Sequence, residues 1–213
     1  MIVFTPERLR FEDIRDRAEK FRLGKHYASS FPINIEEVIE FDLGLEIIPV
    51  PTLKQRIGVE AFLSNDLRSI WVDKTEYEST YNKRLQFTLA EEVGHFVLHR
   101  DIYVQGVKFE REGDFIKAVL GMNQDDVTWI DRQAREFAGR LLVPKDYLES
   151  YIKKNIEKIN SALENLADDE DYTGLIIENF SKKVCADFNV SWEVIKNRIR
   201  KEGFTKYFVI PND

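Results

Sequence analysis

The sequence predicts an α+β fold in which a small, mostly antiparallel sheet packs against helices and a helical extension follows. Three observations predict it. Short β-rich runs fall between residues 45 and 73, long segments with apolar residues at helical spacing occupy 82–99 and 127–142, and helical periodicity alone returns from 147 to 201. At 213 residues the chain can bury a hydrophobic core, as one domain with appendages or as two small ones. The expected organisation is an N-terminal helical arm over 1–29, a core over 30–148 and a helical extension over 149–213.

Along the chain, Leu9, Ile14, Ala18 and Phe21 recur among charges at near-helical spacing, and Gly24 is placed to stop that helix. This arm either packs on the body or docks on a cleft as an autoinhibitor. A second helix begins after Asn34, a candidate cap, and ends at Gly44. Leu45 to Val50 reads as a strand, and Pro49 suits an edge or a strand end. Val59 to Leu63 and Ser69 to Asp73 make a hairpin around Ser64-Asn65-Asp66. The strand Ile70 to Asp73 either offers an edge to an extended peptide or lies in the interior.

From Asn82 to His99 the apolar positions Leu85, Leu89, Val93 and Phe96 predict a long, largely buried helix. Gly94 inside it costs about 1 kcal/mol relative to alanine, which makes sense if something, such as a strand, packs very close. Between 101 and 126 only Phe115 to Leu120 suggests helical turns. The helix at 127–142 carries Ala134, Phe137, Ala138 and Leu141 as its apolar stripe, and Pro144 ends it. Extended backwards, the stripe reaches Asp131, an acid expected to point inward, with Arg135 four residues on as its natural partner. A charged helix over Tyr147 to Leu166, an acidic connector at Ala167 to Asp171, and helices at Leu175–Phe188 and Ser191–Lys201 follow. The last segment, Phe204 to Ile210, suits a strand.

Composition removes several function classes. With 31 basic and 38 acidic residues the net charge is −7, which disfavours a general nucleic-acid binder held by counterion release. Lys196, Arg198, Arg200 and Lys201 leave a DNA-contacting tail helix as a minor reading beside an ordinary solvated face. A single cysteine, Cys185, excludes an internal disulfide and a cysteine-rich zinc site; it reads as a small buried apolar residue and suits a reducing cytoplasm. No apolar stretch approaches the roughly 20 residues that span a bilayer, and the charged N-terminus lacks a secretory apolar region.

The chemistry concentrates in Phe87-Thr88-Leu89-Ala90-Glu91-Glu92-Val93-Gly94-His95-Phe96-Val97-Leu98-His99. In the HExxH motif, two histidines at i and i+4 share a helical face and hold a metal, while the intervening glutamate activates water. Here the string is EExxH, with Glu91 at the first ligand position, Glu92 at the base position and His95 at the second ligand position. Alone, that pattern in a glutamate-rich chain is ordinarily a solvated helix face.

Its surroundings resemble the ImmA/IrrE family of bacterial and phage metallopeptidases, in which a hairpin leads into FTxAHExGHxxLH and then into ExxAxxFAxxLLxP. The first half matches at Phe87, Thr88, Ala90, Glu92, Gly94, His95, Leu98 and His99, with Glu91 in place of histidine. The second matches at Ala134, Phe137, Ala138, Leu141, Leu142 and Pro144, with Asp131 in place of the liganding glutamate. Pro32 to Ile35, Leu43 to Ile47 and Phe188 to Ser191 are similar to the family's flanking segments, so the resemblance extends from about residue 30 to about 200.

The resemblance implies a zincin-like core whose metal is held by Glu91, His95 and Asp131, with Glu92 as general base. One nitrogen and two carboxylates form an oxygen-rich set, so manganese or iron stands beside zinc as the implied ion, with a metal-free protein as the other outcome. Two anionic ligands also weaken activation of a bound water, and Asp131 is shorter than glutamate by roughly 1.5 Å of reach. Glu91 either ligates or stays uncoordinated; Glu92 serves as base or as a carboxylate in a polar network. His99 orients its neighbours or supplies the missing nitrogen if the helix bends, and His26 is an ordinary surface or core histidine.

The expected function is a metal-dependent endopeptidase acting on a regulatory protein such as a repressor, one encoded nearby on a mobile element or phage. The alternative is a catalytically impaired or inactive pseudopeptidase that binds a regulator, toxin or repressor without cutting it. Either way the partner is protein, and neither nucleic acid nor membrane.

Overall fold

The computed structural model describes residues 6–24, 31–79, 83–105, 121, 123–166 and 172–209. His26, the turns expected at Phe115 to Leu120 and the acidic connector at 167–171 lie outside the described residues. The chain divides into two compact units, Met1–Leu141 and Leu142–Asp213.

In the first unit, helix α1 (Phe11–Leu23) carries acidic residues in its first turn and basic ones in its last, as the helix dipole favours, and Gly24 closes it with its N–H on the Lys20 carbonyl. Helix α2 (Ile35–Glu37) starts where the Asn34 side chain accepts from the Glu36 N–H, then widens into a π-helical turn over Val38–Asp42. The strands β1 (Glu46–Val50), β2 (Ala61–Leu63) and β3 (Ser69–Asp73) form one sheet in the order β1-β3-β2. The hairpin β2-β3 is antiparallel, with the Ser64 N–H on the Ser69 carbonyl at 2.8 Å. β1 joins β3 in parallel after the crossover through helix α3 (Leu53–Ile57), so the sheet is mixed.

Ile70 to Asp73 is therefore the central strand, and the edges belong to β1, where Pro49 costs no ladder bond, and to β2, whose residues are buried. A short helix α4 (Lys74–Tyr77), capped by Asp73, leads to the long helix α5 (Lys83–Leu98) and to α6 (Arg100–Gln105).

Helix α7 (Gln124–Leu142) lies against α5. A Cβ on Gly94 would meet the Ala134 carbonyl oxygen at 2.8 Å and the Ala134 Cα at 3.0 Å. The close neighbour is thus a helix backbone, where a strand was the expectation. The arm docks on the same helix: Phe21 meets Phe137 edge-on at 5.8 Å, and the Arg140 guanidinium covers Phe11 at 3.9 Å. Leu9, Ile14 and Ala18 are buried with it.

In the second unit, the helix expected over 147–166 is two, α8 (Lys145–Lys154) and α9 (Ile156–Leu166), broken at Asn155, whose side chain donates to the Tyr151 carbonyl. Helices α10 (Tyr172–Val184) and α11 (Trp192–Lys201) follow. Ser191 precedes α11 without a side-chain capping bond. The terminal segment is a 3-10 helix, Phe204–Phe208, and not a strand: Gly203 at φ 70° turns the chain, and Phe204 and Phe208, four apart, are both buried. Cys185 is half-buried, with Sγ 3.4 Å from the Lys182 carbonyl, so it does not fill the core.

Candidate functional site

Helices α5 and α7 bring the residues singled out by the sequence to one place. The close approach of Gly94 to Ala134 lets His95, the next residue on α5, meet Asp131, three residues earlier on α7. The His95 Nε2 lies 3.7 Å from Asp131 Oδ1. Asp131 is half-exposed, its side chain retaining 49% of its accessible surface, so it borders solvent where an inward position was expected. Burial raises its pKa all the same, against the lowering pull of Arg135.

Glu91 is held differently. Arg135 Nε stands 3.2 Å from Glu91 Oε1, so the guanidinium expected to neutralise Asp131 on its own helix bridges across to α5. Burial, followed by repulsion from Asp131, outweighs that cation and pushes the Glu91 carboxyl up to about 7. Glu92 is buried, and its Oε2 accepts the Leu63 N–H of β2 at 2.7 Å. Burial and the neighbouring Glu91 push its carboxyl up to about 8.

Both histidines are driven neutral by burial, His95 down to about 3. His99 uses both ring nitrogens: Nδ1 lies 3.2 Å from His95 Nδ1 and Nε2 lies 2.9 Å from Gln133 Oε1. It braces the ring of His95. Two further residues belong to the site that the sequence did not mark. Gln133 is 2% exposed and donates to the Glu7 carbonyl at 2.9 Å. Tyr103, on α6, sets its ring edge-on to His95 at 6.4 Å; burial, then Glu92 and Asp131, raise its hydroxyl well above 10, so it stays a proton donor. A buried glutamine two residues beyond Asp131 was a weak sequence signal; Tyr103 had none.

The donor set can be tested against a tetrahedral ion. Two ligand atoms about 2.1 Å from zinc at the tetrahedral angle stand about 3.4 Å apart. The 3.7 Å between His95 Nε2 and Asp131 Oδ1 fits that span, with oxygen and nitrogen donors zinc accepts. Glu91, on the same face, is engaged with Arg135, and among the described residues no three His, Cys, Asp or Glu side chains are already gathered around one point. Arg135 keeps 66% of its side chain exposed, so it can leave Glu91 into solvent without opening the core.

The carboxyl of Glu92 dictates a pH dependence. The folded state holds its proton up to about 8 while an unfolded glutamate releases it near 4.5, so between these values the native state binds more protons and rising pH works against folding. In the presence of a chelator, Glu92→Gln is expected to gain stability over the parent as pH rises through that window. Urea unfolding of both proteins at pH 5 and pH 8 checks this; a constant difference would remove the argument.

No curated protein matches the chain. A family model described as peptidase M78, IrrE N-terminal-like domain, matches residues 75–200, a span that starts in α4 and includes both site helices. That match takes in more than half of the 213 residues, and the paired helices lie within it: the chain belongs to the M78 peptidase family, whose members in general use zinc.

Proposed function

We propose that this chain is a metal-dependent endopeptidase that cuts a regulatory protein of the cell or of a mobile element such as a phage. The observation that carries the reading is the opposition of His95 Nε2 and Asp131 Oδ1 across two helices, at a spacing an ion spans, next to the buried Glu92. His95 and Asp131 would hold the ion, and Glu91 would complete the set on leaving Arg135. When bound, the metal supplies Lewis acidity toward the scissile carbonyl and lowers the pKa of its water.

The protein's own groups do the rest. Glu92 has one carboxylate oxygen pinned by the Leu63 N–H, which fixes the direction of the other as proton acceptor. Burial and Glu91 raise this carboxyl, which suits it to give a proton to the leaving amine, and a bound cation beside it would lower it toward the ionised form that takes one from water. Ser64 and Glu60, which flank β2, bond to β3, so Ala61 and Leu63 turn their backbone groups to the outer edge; there the Leu63 N–H is held by Glu92, and an extended peptide would pair through the Ala61 backbone. The substrate class is thus protein in extended conformation. No helix among the described residues is long and apolar enough to cross a membrane. On the tail helix, Arg198 is buried and paired with Glu202, and Lys196 pairs with Glu178, which argues against a DNA-binding face.

One observation favours the pseudopeptidase reading: the Glu91–Arg135 ion pair supplies a cation where a ligand would need the metal's. Metal analysis of the purified chain, together with capture of new amino termini in a cell extract, separates the two. Stoichiometric zinc, manganese or iron and new termini that fall about 10²- to 10⁴-fold in Glu92→Gln support the peptidase. A metal-free chain that captures a protein intact supports the binder.

A further inference from the structure

We propose that the N-terminal arm sets the tautomer of His95: the Glu7 carbonyl, through Gln133 and His99, puts the His95 proton on Nδ1 and leaves Nε2 bare toward Asp131. Gln133 and His99 are positioning residues in this relay, and the arm becomes part of the site.

The inference follows link by link from which atoms can donate. A peptide carbonyl only accepts, so the Gln133 group 2.9 Å from the Glu7 oxygen must be its NH₂. That places Gln133 Oε1, another pure acceptor, 2.9 Å from His99 Nε2, which must therefore carry hydrogen. In a neutral imidazole the other nitrogen is then an acceptor, so His99 Nδ1 has only a lone pair for His95 Nδ1 at 3.2 Å. His95 Nδ1 must be the donor, and His95 Nε2 keeps its lone pair. An imidazole with its ordinary pKa of about 6.5 is mostly uncharged at neutral pH.

The chain of bonds spans distant sequence, 126 residues between Glu7 and Gln133 and 34 between Gln133 and His99. The segment is anchored independently, by Arg8 on Asp126 at 2.9 Å and by the same guanidinium over Trp129 at 4.8 Å. Among the described residues no hydrogen-bond donor reaches His95 Nε2, and the group it faces, Asp131, is an acceptor when ionised. Two lone pairs directed at each other are what a cation between them would resolve. The arm thus prepares His95 as a nitrogen ligand before any ion arrives, in the manner of the outer partners that orient metal-binding imidazoles.

This inference concerns the site on which the proposed peptidase activity rests, but its first readout needs neither metal nor substrate. Long-range ¹H–¹⁵N correlation of the histidine rings in the full-length, ¹⁵N-labelled chain, at neutral pH with chelator, reports each tautomer. The expected result is Nδ1–H for His95 and Nε2–H for His99. A proton on His95 Nε2 in the parent overturns the proposal without recourse to any variant. Gln133→Met, close in length but unable to accept, is expected to mix both tautomers and, on titration with zinc alone, to weaken binding about 10- to 100-fold. Retention of the parent tautomers in a folded Gln133→Met protein overturns the relay. A parent that binds no zinc but shows the expected tautomers leaves the relay standing and counts against the peptidase reading alone.

Discussion

Replacing Glu91 with histidine is expected to tighten zinc binding to the full chain by about 10- to 100-fold or more, and to raise cleavage with it. Outer partners of a ligand alone move metal affinity by about that factor, and this substitution changes both the ligand and its partner. Glu91 reaches the ion only by giving up Arg135, whose Nε is 3.2 Å away. A neutral imidazole at 91 offers that guanidinium no ion pair, and the largely exposed Arg135 side chain is free to turn to solvent or toward Asp131 on its own helix. Charge adds to the effect. With Glu91 and Asp131 both bound, two anions cancel the charge of a divalent ion; with histidine one anion remains, and the bound water is more acidic. Competition titration against a chromophoric chelator measures the first effect, and cleavage kinetics the second. Unchanged affinity in Glu91→His, with Arg135→Gln equally silent, would show that neither residue at this corner touches the ion.

The fold was legible wherever local chemistry is strong. Asn34 caps its helix, the Ser64-Asn65-Asp66 turn closes the hairpin, and Pro49 sits on an edge strand, each for a reason contained within a few residues. The site was legible as two helices because their apolar stripes repeat at helical spacing. What escaped the sequence depends on partners distant in the chain. Arg135 was assigned to Asp131 by the i, i+4 rule, yet it crosses to Glu91 because the helices approach closely enough for a long side chain to span them. Gln133 reads as an unremarkable polar residue until the Glu7 carbonyl and His99 stand on either side of it. At the terminus, Phe204 and Phe208 fit strand and helix alike, and burial of both on one face, with Phe208 against Phe180, decided for the helix. These outcomes share one cause: period and propensity describe an element, whereas the choice of partner belongs to packing.

Gly94→Ala tests that packing where it governs the site, and it is expected to destabilise the protein by about 1–3 kcal/mol. On an isolated helix the same change would stabilise by about 1 kcal/mol, because alanine has the higher helix propensity. Here the added methyl would stand 2.8 Å from the Ala134 carbonyl oxygen and 3.0 Å from its Cα. Both are backbone atoms in the middle of α7, so no side-chain rotation relieves the overlap; the two helices must move apart. Ala134 is flanked by Gln133 and Arg135 and lies three residues beyond Asp131. A displacement of α7 therefore lengthens His99 to Gln133, now 2.9 Å, and His95 to Asp131, now 3.7 Å, together. Stability and zinc affinity should fall in the same variant, measured by urea unfolding with chelator present and by the same chelator competition. A gain in stability near the propensity value would mean that α5 and α7 do not press on each other at Gly94. The distances on which the ion's place depends would then have to be set elsewhere in the helix pair.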